Sequence, residues 1–93
     1  MLIEPSQVVQ RLSLGDKGAI VLTSDPNTSR NIFLVRPSGE VIWQIEEPVH
    51  SDGVQRYYSV YLNGAQLFAY SANGVEYLVD SETGRIQSKE LIR

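Results

Sequence analysis

His50 is the one histidine of the chain, and Asp52 stands two residues away. An imidazole beside a carboxylate could act as a general base if a nucleophile or a water lay within reach. Its surroundings, Glu47-Pro48-Val49-His50-Ser51-Asp52-Gly53, form a polar connection bounded by proline and glycine, which a solvated loop already explains. Thr23-Ser24-Asp25 puts two hydroxyls next to a carboxylate, but Asp25-Pro26 is what the onset of a turn needs. Asn27-Thr28-Ser29 is a chance glycosylation match that matters only in a secreted protein. One histidine, no cysteine and isolated carboxylates make a poor ligand set for a metal, and no EF-hand spacing is present. Glycines sit at hairpin tips rather than at strand-to-helix junctions, so no phosphate-cradling loop is expected. The reading is a chain with no catalytic residue, no metal and no cofactor.

The aromatic residues are the better candidates for a site. Trp43, Tyr57, Tyr58, Tyr61, Phe68, Tyr70 and Tyr77 all lie on or beside segments that read as strands. Tyr and Trp offer large contact area with few rotatable bonds, which suits them to interfaces. Trp43, Phe68 and Tyr77 are expected in the core of a small β domain. Tyr57, Tyr58 and Tyr61 suit core and interface equally, with alternation placing Tyr57 and Tyr61 on one face and Tyr58 on the other. Together with Tyr70 these three make the expected interaction face.

The turns fix the elements that carry them. Asn63-Gly64 and Asn73-Gly74 each separate two β-rich runs, the strongest short-range hairpin signal. Asp80-Ser81-Glu82-Thr83-Gly84-Arg85 fits a type I turn whose glycine takes a left-handed position and starts a bulge. Three tight connections in a row make Tyr57 to Leu91 a four-stranded meander. Upstream, Ala19–Thr23, Asn31–Arg36 and Val41–Glu46 read as strands, with Pro37-Ser38-Gly39-Glu40 as a turn. Val8–Leu12 is open between a helix capped by Ser6 and a strand, with the strand favoured because Leu14–Gly18 leads straight into the next one.

Two halves follow, residues 8–47 and 56–92 of one domain spanning 1–93. The Leu34 pattern recurs at Leu78 and Gly39 recurs at Gly84, offsets of 44 and 45 residues. A period in the forties with about four strands per unit is the sequence pattern of a propeller blade. Gly39-Glu40-Val41-Ile42-Trp43 and Leu78-Val79-Asp80-Ser81-Glu82-Thr83-Gly84-Arg85-Ile86 resemble the blade repeat of quinoprotein-type β-propellers. Residues Arg30 to Arg93 also resemble a group of small uncharacterised bacterial proteins, through Asn31, Gly39, Trp43, Pro48, Ala69-Tyr70-Ser71…Gly74 and Asp80…Thr83-Gly84. The resemblance implies no activity. Closed propellers hold 4–8 blades, so a chain with material for two cannot form the ring that seats a quinone cofactor. The expected fold class is all-β: two consecutive four-stranded antiparallel meanders, propeller-blade-like, packed as a sandwich or an open barrel.

Composition bounds the partners. The 93 residues are 42% hydrophobic and 20% charged, with a net charge of −3 and no cysteine. The charge weighs against nucleic-acid binding. No apolar run reaches ~18 residues and the N-terminus has no signal-peptide pattern, so no membrane association is expected and a cytoplasmic setting is. Ala19–Thr23, Ile32–Val35 and Tyr57–Leu62 are apolar or aromatic on both alternating sets. A half-exposed strand would alternate. One face can meet the other sheet, while the second needs a partner, a folded-back loop or another copy. The expected function is a non-enzymatic protein-interaction or accessory module, of inhibitor or immunity type, with homo-oligomerisation expected. The alternative is a small-ligand binder with a tyrosine-lined pocket between the sheets.

Overall fold

The structure is a computed structural model that describes residue 3 and residues 5–24, 28–48, 56–72 and 74–91. His50, Asp52, Asp25-Pro26-Asn27 and Asn73 lie outside the described residues. Eight strands run in order: β1 (Val8–Ser13), β2 (Ala19–Thr23), β3 (Ile32–Val35), β4 (Val41–Gln44), β5 (Tyr57–Asn63), β6 (Gln66–Ser71), β7 (Val75–Val79) and β8 (Ile86–Leu91). They form two four-stranded antiparallel sheets, A (β1-β2-β3-β4) and B (β5-β6-β7-β8), each a plain meander. Among the described residues the only helical turns are single 3-10 turns at Pro5–Gln7 and Gly15–Lys17. The segment open between helix and strand is therefore a strand. Gln10 and Leu12 face inward in it and Arg11 outward, the period-2 pattern of a half-buried strand.

Short links dictate this order: two residues between β5 and β6, three between β6 and β7 and no more than eight elsewhere within a sheet leave each strand to pair with the one before it. The β7–β8 turn shows the chemistry. Asp80 C=O accepts from the N–H of Gly84 at 2.8 Å, Asp80 N–H donates to Arg85 C=O at 2.8 Å, and Gly84 takes a φ of +77°. A side chain there would be strained and obstructed, since a β-carbon would come 2.6 Å from Trp43 Cε3.

Each edge strand carries a bulge. The register skips Val9 in β1, Ile42 in β4, Tyr58 in β5 and Gln87 in β8. Bulges twist a sheet edge and interrupt its free hydrogen-bonding row, which blunts edge-to-edge pairing. They also reverse the phase of alternation. Val9, Ile42 and Tyr58 are accordingly among the exposed large apolar side chains.

The inner faces pack as a sandwich around one core. Ile20, Leu22, Ile32, Leu34, Trp43 and Ile45 come from sheet A and its margin, and Tyr57, Val60, Leu67, Ala69, Tyr77 and Val79 from sheet B. Polar locks join the sheets along both sides. Asn31, buried, donates to Thr23 C=O at 2.9 Å and Tyr57 C=O at 2.7 Å, and accepts from Tyr57 N–H at 3.0 Å. Gln10 does the same three residues further along, donating to Val60 C=O and accepting from Val60 N–H at 3.1 Å. Two side-chain carboxamides thus stand in for a neighbouring strand along the edge of β5, whose backbone groups would otherwise be buried unpaired. Across the sandwich, Trp43 Nε1 donates to Ser81 C=O at 2.9 Å and Glu46 Oε1 accepts from Ile86 N–H at 2.7 Å.

Sheet A is covered on its outer face as well. Ala19, Val21 and Phe33 are buried there, with Ile3, Val8, Val35 and Val41 packed against them. Of the possible covers for doubly apolar β2 and β3, the lead-in at Ile3 folds back to supply one. No second copy is needed on that side.

Candidate functional site

Among the described residues the outer face of sheet B has no such cover. Tyr58 is 58% exposed and Tyr61 38%. Tyr58 meets Tyr70 edge-to-face with ring centroids 5.2 Å apart, and Tyr61 stacks on Phe68 at 5.2 Å with the planes 17° apart. Tyr61 and Phe68 are direct cross-strand partners, as are Tyr70 and Glu76. The result is an aromatic strip across β5 and β6, which aromatic pairing stiffens by about 0.5–1.5 kcal/mol per pair.

Glu76 sits at the margin of the strip. The Tyr61 hydroxyl donates to Glu76 Oε2, and Glu76 lies opposite Glu90 in the ladder. The hydrogen bond to the carboxylate holds the Tyr61 phenol above its ordinary pKa. Tyr70 is also raised, first by partial desolvation and then by Tyr58 and Glu76. By register the outward set of β5–β8 contains Glu76 and Glu90 and no lysine or arginine. Like charges opposite each other in a ladder are unfavourable alone, and a cation laid over them relieves that.

Of the four tyrosines expected on one interaction face, three share it. Tyr57 is a correction. It is 1% exposed, packs edge-to-face on Tyr77 at 5.7 Å and donates its hydroxyl to Glu46 C=O at 2.9 Å. Burial, then Tyr77 and Glu46, push its pKa above the ordinary value. The bulge at Tyr58 is the reason. Tyr57 pairs with Ser71 and Ser59 with Tyr70, so the inward positions become Tyr57, Val60 and Leu62. Strict alternation would have put Tyr57 with Tyr61. Phe68, expected in the core beside Trp43 and Tyr77, is instead half-buried under Tyr61 on the outer face.

A cleft of about 620 Å³ opens between the sheets at the end where four turns gather. Its floor is Ile20, Leu34 and Leu67, and Leu14, Ile42 and Leu62 form its walls. No tyrosine lines it, so the tyrosine-lined pocket expected between the sheets has aliphatic walls instead. Lys17 and Arg36 stand on the sheet A side, Ser81 and Glu82 on the sheet B side. Nothing local in the sequence marks this cleft, because its residues are spread over four separate hairpins. Among the described residues no group of three or more His, Cys, Asp or Glu side chains is placed to hold a metal, and no helix is long and apolar enough to cross a membrane.

Residues 6–91 match the family model described as Domain of unknown function (DUF7957). The chain belongs to the DUF7957 family. No curated protein and no solved structure gives a match. The DUF7957 span takes in all eight strands, so both sheets, the aromatic strip and the cleft belong to the domain itself.

Proposed function

We propose that this DUF7957 chain is a non-enzymatic interaction module, of accessory, inhibitor or immunity type, that docks another protein on the outer face of sheet B. The observation that supports it is the contrast in cover: Tyr58, Tyr61, Phe68 and Tyr70 form a paired aromatic strip that no other element overlies among the described residues. Preordered tyrosines suit protein interfaces because little rotamer entropy is lost when they bind. The partner that fits carries a basic patch. Tyrosine faces accept a guanidinium or ammonium group, and Glu76 and Glu90 supply the counter-charge. A second copy fits less well, since a two-fold stacking of this face would set the two copies' Glu76–Glu90 pairs against one another. The chain's cysteine-free composition suits a reducing, cytoplasmic setting. The blade-like arrangement and bacterial relatives belong to this same reading.

The test is affinity with and without the strip. A partner recovered with the wild-type protein is purified, and its Kd is measured for wild type and for the Tyr58→Ser/Tyr61→Ser double variant. Loss of about 100-fold or more in affinity, with the variant's Tm unchanged, supports the reading. Equal affinity overturns it. Sedimentation velocity across a concentration range separates the self-associating case, which appears as a dimer that the same variant abolishes.

A further inference from the structure

The cleft between the sheets carries an inference independent of the aromatic strip. We propose that it is a binding site for an amphipathic carboxylate, a medium-chain fatty acid or a molecule of that shape and charge.

Two side chains show that the core is unfinished there. Leu62 occupies an inward register position, opposite core residue Leu67, yet is 36% exposed. Its aliphatic surface lines the cleft. Ile42 is the bulged residue of β4 and 39% exposed. The bulge turns an extra isoleucine onto the rim, the re-aiming of a side chain for which bulges are used beside functional sites. Opposite it the sheet B lip is built from small residues, Gly64, Ala65 and Ser81. Behind these lips the buried Ile20 and Leu67 back the cleft. An open aliphatic gap of about 620 Å³ is within the ordinary range for small-molecule sites, about 300–1,000 Å³.

The rim charges select the head group. Lys17 and Arg36 stand together on the sheet A lip, and Lys17 makes no ion pair among the described residues. Arg36 spends Nε on Glu40 at 2.9 Å, which orients the guanidinium. The remaining charged group of the lining, Glu82, lies on the opposite lip. A carboxylate at the sheet A lip meets two cations, and its alkyl tail runs over Ile20, Leu34 and Leu67 between Ile42 and Leu62. A cationic head on the same tail has only Glu82 and faces two like charges.

The experiment titrates the full chain with decanoate and, separately, with decyltrimethylammonium, each below its micelle concentration. Calorimetry and thermal shift are the readouts. Decanoate is expected to bind and raise Tm, and decyltrimethylammonium to bind at least about tenfold more weakly. Lys17→Glu/Arg36→Glu should lose about tenfold or more in decanoate affinity and narrow the gap between the two probes. Leu62→Asp, at an already exposed position, should abolish binding of both. Tyr58→Ser/Tyr61→Ser should leave decanoate binding unchanged, which separates this site from the strip. No decanoate binding, or equal binding of the two probes by wild type, overturns the proposal. So does unchanged decanoate affinity in the charge-reversed variant with a native circular-dichroism spectrum.

Discussion

Sheets A and B share a strand order and carry their bulges at the same places, the second residue of the first strand and the second residue of the last. Their outer faces nonetheless end differently. On sheet A, Phe33 with Ala19 and Val21 is buried under the lead-in at Ile3 and the flanking Val8, Val35 and Val41. On sheet B, Phe68 lies beneath Tyr61 and the strip of rings ends in solvent. Similar backbones therefore give one face to stability and leave the other available. A phenylalanine with no water-exposed partner adds to folding energy, whereas tyrosines keep their hydroxyls hydrated while presenting ring surface.

Breaking sheet A's outer face should cost most. Phe33→Ala is expected to lower the unfolding free energy by about 3–5 kcal/mol, read by urea denaturation. A cost near that of a surface change would mean that this face is not a second core. Asn31→Ala comes next, at about 3 kcal/mol, because it strands the N–H and C=O of Tyr57 and the C=O of Thr23 in a buried seam. Such a loss, with an unchanged denaturant slope, would show that the carboxamide holds the sheets together without defining their compactness.

Two further measurements sharpen the inside-outside contrast. Tyr57 holds its proton more tightly folded than unfolded, where the phenol ionises near its ordinary 10.0. Its contribution is therefore complete below about pH 10 and is lost as the pH climbs, because only the unfolded chain then releases that proton. The urea midpoint should fall above pH 10, and Tyr57→Phe should flatten that fall. An unaltered slope in the variant would place the alkaline sensitivity elsewhere. Ile3→Ala should cost about 1–2 kcal/mol, the transfer energy of a half-buried side chain covering sheet A. The smallest effect belongs to the strip. Tyr58→Ser and Tyr61→Ser should each change stability by under ~1 kcal/mol by the same assay. A loss comparable to Phe33→Ala would erase the difference between the faces.

The hairpin order was legible because its determinants are local. Asn63-Gly64 and the Asp80–Arg85 turn each dictate a corner within six residues, and the strands between them had no other partner within reach. Doubly apolar β2 and β3 were legible as strands covered on both sides, but not the identity of the cover. That cover depends on where Ile3 lands after a 3-10 turn. The tyrosines were legible as a group on neighbouring strands, but their register was not. Alternation set Tyr58 apart from Tyr61, yet the bulge brings Tyr58 beside Tyr70 on the face of Tyr61 and turns Tyr57 inside by one skipped residue. A bulge has little signature in composition, since it is chosen by the fit of two strands and the sheet behind them.

What the chain's own letters determined is the succession of short antiparallel strands, because turn propensity and alternation act over a few residues. They also determined the lack of cysteine chemistry and the modest negative charge. What only the tertiary structure decided is which rings reach water, which carboxamides complete the edge of β5, and where the two sheets part to leave Ile42 and Leu62 uncovered. Those outcomes join residues as far apart as Gln10 and Val60. They follow from how two twisted, bulged surfaces settle against each other, a geometry that no local window of sequence contains.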